Sequence, residues 1–224
     1  MTAPLSVIIP TLNSVEDLGP TLSAVYEGAA NGLVAELIIT DGGSTDDIAH
    51  VADSLGARLV TGPKGRGTQL ANGADLARSD WLLFLHADTV LPDGWSKAVR
   101  HHINQTTRPG YFLLSFDQGG LAARLVAGWA NLRSHLFGLP YGDQGLLVSR
   151  LDYTRVGGFA KIPLMEDVAI IRKLPRARKI PARVTTSAKR YQNDGWLRRG
   201  TRNLILLGLY SLGTKPETLA EKYR

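Results

Sequence analysis

Residues 81–89 read Trp81-Leu82-Leu83-Phe84-Leu85-His86-Ala87-Asp88-Thr89. The apolar run from Trp81 to Leu85 is too short for a helix and shows no alternation. It fits a strand covered on both faces, as in the middle of a parallel sheet. Working outward, Leu5-Ser6-Val7-Ile8-Ile9 is a β-branched run closed by Pro10. Glu36 to Thr40 is a second strand, ending at the turn Asp41-Gly42-Gly43. Ala57 to Val60 is a third, broken at Thr61-Gly62-Pro63. Helical signals fill the gaps. One helix starts near Val15, with Leu18, Leu22, Val25 and Tyr26 on one face. A second is expected to be capped by Ser44 or Thr45, with Asp46 and Asp47 in its first turn. A third covers residues 67–78. Strand and helix thus alternate, which predicts an α/β fold with a doubly wound sheet and helices on both faces.

The second half is less regular. Strands are expected at Tyr111–Phe116 and Gly145–Ser149. Leu121, Leu125, Trp129, Leu132 and Leu136 recur at helical spacing and place a helix over 120–137, with that stripe and Trp129 assigned to the core. Helices follow at Glu166–Leu174, stopped by Pro175, and over 197–212. His101 and His102 fall on an exposed helix and take no role.

Composition bounds the function. The 224 residues suit one domain, and 44% hydrophobic content supports a core. The absence of Cys excludes a disulfide framework, a thiol nucleophile and a Cys zinc site. No apolar run is long enough to span a bilayer, and Met1-Thr2-Ala3-Pro4 does not read as a leader, so a cytoplasmic location is expected. Charge is uneven: residues 1–171 hold 12 Lys and Arg against 17 Asp and Glu, whereas residues 172–224 hold 14 against 3. That basic quarter suits a phosphate or an anionic membrane. Nucleic acid is not expected, because no recognition module or aromatic interleaving accompanies it.

Ligands of such sheets bind at the carboxyl ends of the strands. No Gly-rich turn follows the first strand, and Gly62 and Gly67 are followed by Thr68 rather than Lys, so dinucleotide and Walker A fingerprints are absent. What the strand ends offer is acidic: Asp41 and Asp88. A carboxylate after a central strand suits a hard divalent cation that also bridges substrate phosphates. Taken singly, Asp88 reads rather as a turn or helix-cap residue before Leu91-Pro92-Asp93-Gly94, and Asp41 more strongly still as the start of an Asp-Gly turn.

Together, Ser6 to Asn13, Asp41-Gly42-Gly43-Ser44-Thr45-Asp46, Leu85-His86-Ala87-Asp88-Thr89 and Glu166-Asp167 resemble, in order and spacing, the family 2 inverting glycosyltransferases. The resemblance covers about residues 5–175. Gly65-Arg66-Gly67 and the short chain resemble a compact bacterial subgroup. It implies a GT-A fold: a nucleotide-binding parallel or mixed sheet flanked by helices, with a C-terminal acceptor-side extension. The whole chain would be one domain, with about 1–115 as the donor half and about 116–224 as the acceptor half. The implied activity is transfer of a sugar from a nucleotide-sugar to an acceptor hydroxyl with inversion, aided by Mg2+ or Mn2+. The acceptor is a small molecule or a lipid.

The resemblance also implies roles. Pro10, Thr11, Asn13 and Asp41 contact the donor, Arg66 holds the nucleotide, and Asp88 carries the metal. Asp167 is the general base, with its neighbour Glu166 open as the alternative. Asp143 and Gln144 read equally as sugar contacts or a hairpin turn, and Trp196 sits on the acceptor side. There are departures. His86 replaces the first acid of the family's D-x-D, Gly42 replaces its second acid after the nucleobase strand, and Q-x-x-R-W is missing. Arg190-Tyr191-Gln192 and Gly195-Trp196 only occupy that region. A nucleotidyltransferase and a non-catalytic membrane-surface protein stay open as alternatives. For the 197–212 helix, burial in the core and an interfacial position both remain open.

Overall fold

The computed structural model describes residues 3–223. Met1 and Thr2, read above for a leader, and Arg224, counted in the basic quarter, lie outside them. One eight-stranded mixed sheet forms the centre. Its strands are β1 (Leu5–Thr11), β2 (Val34–Asp41), β3 (Arg58–Thr61), β4 (Trp81–Phe84), β5 (Thr89–Val90), β6 (Gly110–Phe116), β7 (Leu146–Ser149) and β8 (Arg178–Thr186). Their spatial order is β3-β2-β1-β4-β7-β6-β8-β5. β1 to β4 run parallel, and β7 pairs antiparallel with both β4 and β6. β8 is parallel to β6, and β5 is antiparallel to β8. The expected parallel half is therefore present, and a mixed half extends it. The strands β5 and β8 were not anticipated.

Alternation along β1 explains the layers. Leu5, Val7 and Ile9 face one way, onto α1 (Val15–Ala30) and α4 (Trp95–Gln105), with Leu18, Leu22, Val25, Trp95 and Val99. Ile8 faces the other way with Ile38, Leu82 and Phe84, onto α3 (Arg66–Leu76) and α7 (Glu166–Ile171). Both faces are covered, as the unbroken apolar strands require. The short α2 (Ile48–Ser54) and α6 (Arg150–Arg155) complete the connections. The chain closes with α5 (Leu121–Phe137), α8 (Lys189–Asp194), α9 (Trp196–Ser211) and α10 (Pro216–Tyr223).

Four expectations change. The α5 stripe does not enter the core: Leu121 is 70% exposed and Trp129 44%, while Ala123, Ala127 and Ala130 face the sheet. Periodicity identifies a stripe but not which side is covered, and the alanines allow the closer approach. Tyr26 is likewise exposed. His102 is buried, with Nε2 2.9 Å from the Arg108 carbonyl, and burial lowers its pKa. Ser44 and Thr45 do not cap α2, which begins after Asp47. They pair instead with Asp41 and Asn13, and Asp46 accepts from the Val15 amide at the start of α1. Among the described residues no helix is long and apolar enough to cross a membrane.

The helix α3 lies hard against the sheet because Gly73 lacks a side chain. A β-carbon there would stand 2.5 Å from Ile8 Cγ2 and 2.9 Å from Thr40 Cγ2. Both neighbours are β-branched and stiff at χ1. Gly73→Ala is therefore expected to cost about 1–3 kcal/mol through overpacking, read as a lower urea midpoint; an unchanged midpoint would show that α3 can move away.

Candidate active site

In the parallel half the strand order turns at β1, with β2 on one side and β4 on the other. The carboxyl ends of β1 and β4 open a crevice at this switch point, where open α/β sheets bind ligands. A hollow of 400 Å³ lies there, lined by Pro10, Thr11, Asn13, Lys64, Arg66 and Asp88 among others. A second hollow of 140 Å³ lies beside it, between the 141–143 segment, the 164–167 segment, the end of β8, α8 and α9. The two share Arg66, His86, Asp88, Leu164, Glu166 and Arg190.

The first hollow is held open by polar side chains. Gln69 on α3 is buried, and its Nε2 donates to the Thr11 and Thr40 carbonyls, both at 2.7 Å. Asp41 stands behind the wall. It is 4% exposed, accepts from the Gly43 and Ser44 amides and from the Ser44 and Thr11 hydroxyls, and does not line the hollow. Those hydrogen bonds outweigh desolvation and lower its pKa. Asp41 therefore positions Thr11 and the 42–45 turn rather than facing the space. Asn13 adopts a left-handed φ of 49° and accepts from the Thr45 amide at 2.8 Å.

At the shared rim, Asp88 follows β4 and its carbonyl accepts from the Ser187 amide at 3.2 Å. His86 turns Nε2 towards Gly142, where a β-carbon would sit 2.5 Å away, and that nitrogen has no partner. Burial, aided by Arg66 and Arg190, lowers its pKa well below 6.5, so the ring is neutral and packs. Among the described residues no group of three His, Asp or Glu side chains is placed to hold a metal ion. Asp88 fits a cation that takes one protein carboxylate and fills its shell from donor phosphates and water.

Glu166 and Asp167 open α7 after Met165, a non-glycine residue at φ 67°. Glu166 is 2% exposed and pairs with Arg66 at 3.4 Å. Burial and the adjacent Asp167 raise its pKa, against the pull of Arg66. Asp167 faces the second hollow. Its Oδ2 accepts from the Gly142 amide at 3.0 Å and its Oδ1 from the Val168 amide at 2.7 Å. The two neighbours thus differ in setting: Glu166 is buried against Arg66 where the two hollows meet, and Asp167 lines the second hollow alone.

Asp143 lines the second hollow, but Gln144 does not. Gln144 is fully buried, binding Ser134 at 2.5 Å and the Phe112 carbonyl at 3.1 Å, so it ties α5 to β6. The 142–144 segment is a 3₁₀ turn rather than a hairpin. Trp196 also stays outside the lining; it stacks on Tyr191 with centroids 4.9 Å apart and braces Phe116, both of which do line the hollow. Residues not anticipated as lining are Tyr141, Ser187, Arg199 and Asn203. Arg190 and Tyr191 were visible only as remnants of a missing motif. The Tyr141 ring lies under the Arg133 guanidinium, 3.3 Å from its centroid, and burial pushes its hydroxyl up to about 12.

The chain belongs to glycosyl transferase family 2, whose pattern matches residues 6–127. Among its relatives, a PGL/p-HBAD biosynthesis glycosyltransferase of Mycobacterium tuberculosis is 41% identical over 99 residues, covering 41% of this chain and 38% of that protein. The matched stretch thus spans under two-fifths of that relative's length. A mannosyltransferase from Pyrobaculum calidifontis, solved with GDP-Man and Mn2+, has a TM-score of 0.67 at 17% identity, over 97% of this chain and 68% of that one. Glucosyl-3-phosphoglycerate synthase from Mycobacterium tuberculosis, solved with Mn2+, UDP and phosphoglyceric acid, has a TM-score of 0.54 at 23% identity, over 82% and 68%. The fold is that of the GT-A glycosyltransferases.

Asp143 supplies a pH test. Burial, with Asp167 and Asp88 adding to it, raises its pKa from 3.8 to about 6 against the opposing Arg133. The folded protein therefore holds this proton more tightly than the unfolded chain, and stability falls as pH rises from about 4 to about 6. Asp143→Asn lacks this titration, so in chelator-treated samples its stability relative to wild type should rise across that window. A difference constant with pH in urea melts would contradict the raised value.

Proposed function

We propose that this glycosyltransferase moves a sugar from a nucleotide-sugar to an acceptor hydroxyl, with inversion, in one metal-assisted displacement. The observation that carries this is the meeting of Asp88, Arg66 and Asp167 around two adjoining hollows. In this reading residues 1–115 build the donor side and 116–224 the acceptor side. Solved structures of the same fold hold UDP or GDP-Man with Mn2+, which supports a nucleotide-sugar donor.

Pro10, Thr11 and Asn13 line the space for the nucleoside, with Asp41 fixing Thr11 from behind. Asp88 would hold the divalent cation, which when bound neutralises the leaving diphosphate as a Lewis acid. Arg66, kept in place by buried Glu166, presents a guanidinium to the same phosphates. Asp167 accepts the proton of the attacking hydroxyl. Its two backbone donors fix its orientation, and each oxygen keeps a second lone pair for the task. The hydroxyl oxygen bonds to the anomeric carbon as the bond to the nucleotide phosphate breaks on the opposite face. A single base on one face and a leaving group on the other give inversion. Asp143 stands beside the acceptor, and Trp196 acts through Tyr191 and Phe116. The proposed setting is the cytoplasm, with a peripheral contact to an anionic membrane suggested by the basic residues after 171.

Asp88→Asn is expected to abolish turnover and the metal-dependent part of nucleotide binding while leaving the melting temperature near wild type. Calorimetric titration of UDP and GDP with and without Mn2+ reads this, and full metal enhancement in the variant would remove Asp88 from the site. Asp167→Asn should lower kcat about 10²–10⁴-fold, the usual contribution of a general base, with donor Kd little changed. Near-normal kcat would transfer the role to Glu166 or Asp143.

A further inference from the structure

The helices α5 and α9 pack against one another, and each exposes several large apolar side chains. On α5, Leu125 is 63% and Leu136 53% exposed, while the face on the sheet is made of alanines. On α9, Leu197 is 82% and Ile205 56% exposed, and Leu212 just beyond is 86% exposed. An amphipathic helix normally buries its leucines. Two touching helices that both expose them present more apolar surface than scattered single residues would, and such surface marks an interaction site.

Charge selects the partner. The two helices carry five arginines and no Asp or Glu, but Arg133 and Arg199 are buried and Arg202 pairs with Asp194, so the outward charge comes from the other two. Arg124 and Arg198 are exposed beside the leucines. A second copy paired face to face would bring like charges together. A surface of apolar depth and anionic head groups meets both the leucines and the arginines. We propose that the outward faces of α5 and α9 dock the protein on an anionic lipid bilayer. This rests on the membrane contact proposed above and names the surface that makes it; α5, distant in sequence from the basic quarter, is an essential half.

The position of α9 gives the docking a use. Its opposite face sends Arg199, Asn203 and Leu206 into the second hollow. Leu206 also lines an open groove of 470 Å³ with the exposed Leu197 and Ile205. One helix therefore separates the bilayer from the acceptor side of the site.

Flotation of the full chain with vesicles of phosphatidylcholine alone, or mixed with phosphatidylglycerol, tests this. The wild type should float with the mixed vesicles, and less so at high salt. Leu125→Glu/Leu132→Glu should weaken that binding at least about tenfold, since each leucine's burial is lost and an acid placed at the surface. The milder Leu125→Ala/Leu132→Ala should lie between. Donor hydrolysis in solution and melting temperature should stay at wild-type values in both. Absence of wild-type flotation would overturn the membrane contact itself. Flotation equal in wild type and both variants would overturn this surface alone. A concentration-dependent dimer, without flotation and abolished by the variants, would make the face an interface between copies.

Discussion

The ion pair between Arg66 and Glu166 joins residues 100 positions apart, and the site depends on it. Glu166 is almost wholly buried, and a buried carboxylate is costly unless paired. Arg66 supplies the pairing from the first turn of α3. The approach is possible because the next residue is Gly67, where a β-carbon would stand 2.3 Å from the Ala160 carbonyl oxygen. That contact brings the 160–167 segment onto the parallel half of the sheet. Asp167 then emerges towards the cleft, and the left-handed Met165 turns the chain into α7. Backbone conformations of this kind persist only where surrounding contacts hold them, and they gather at functional sites.

The first hollow relies on a different device. Strand ends expose backbone groups that pairing no longer satisfies. Gln69 takes up two carbonyls, and Asp41 gathers the amides of the following turn. Both side chains are consumed in shaping the wall, which leaves Thr11 and Asn13 to face the space.

The first half was readable because β1 and β4 are apolar on both faces and turn residues close β2 and β3. β8 escaped because it interleaves exposed Lys179, Pro181 and Arg183 with buried Ile180 and Val184, and β5 has two residues. The motif-bearing acids Asp88 and Asp167 do border the cleft, since each sits directly beside a strand or helix end. Tyr141, Ser187 and Asn203 come from segments whose placement needs the mixed half of the sheet, and no local pattern marks them. In α5 the period was correct and the direction reversed, because a stripe of leucines carries no information about which neighbour, sheet or lipid, will cover it.

The crowding of carboxylates at the shared rim ties the two hollows together electrostatically. Asp88 and Asp167 both act to raise the pKa of Asp143, while Arg133 and Arg66 lower it. Positive charge arriving at Asp88 offsets one of the two repulsions and favours loss of the Asp143 proton. In the proposed mechanism, a cation held by Asp88 would thereby couple the two hollows through charge.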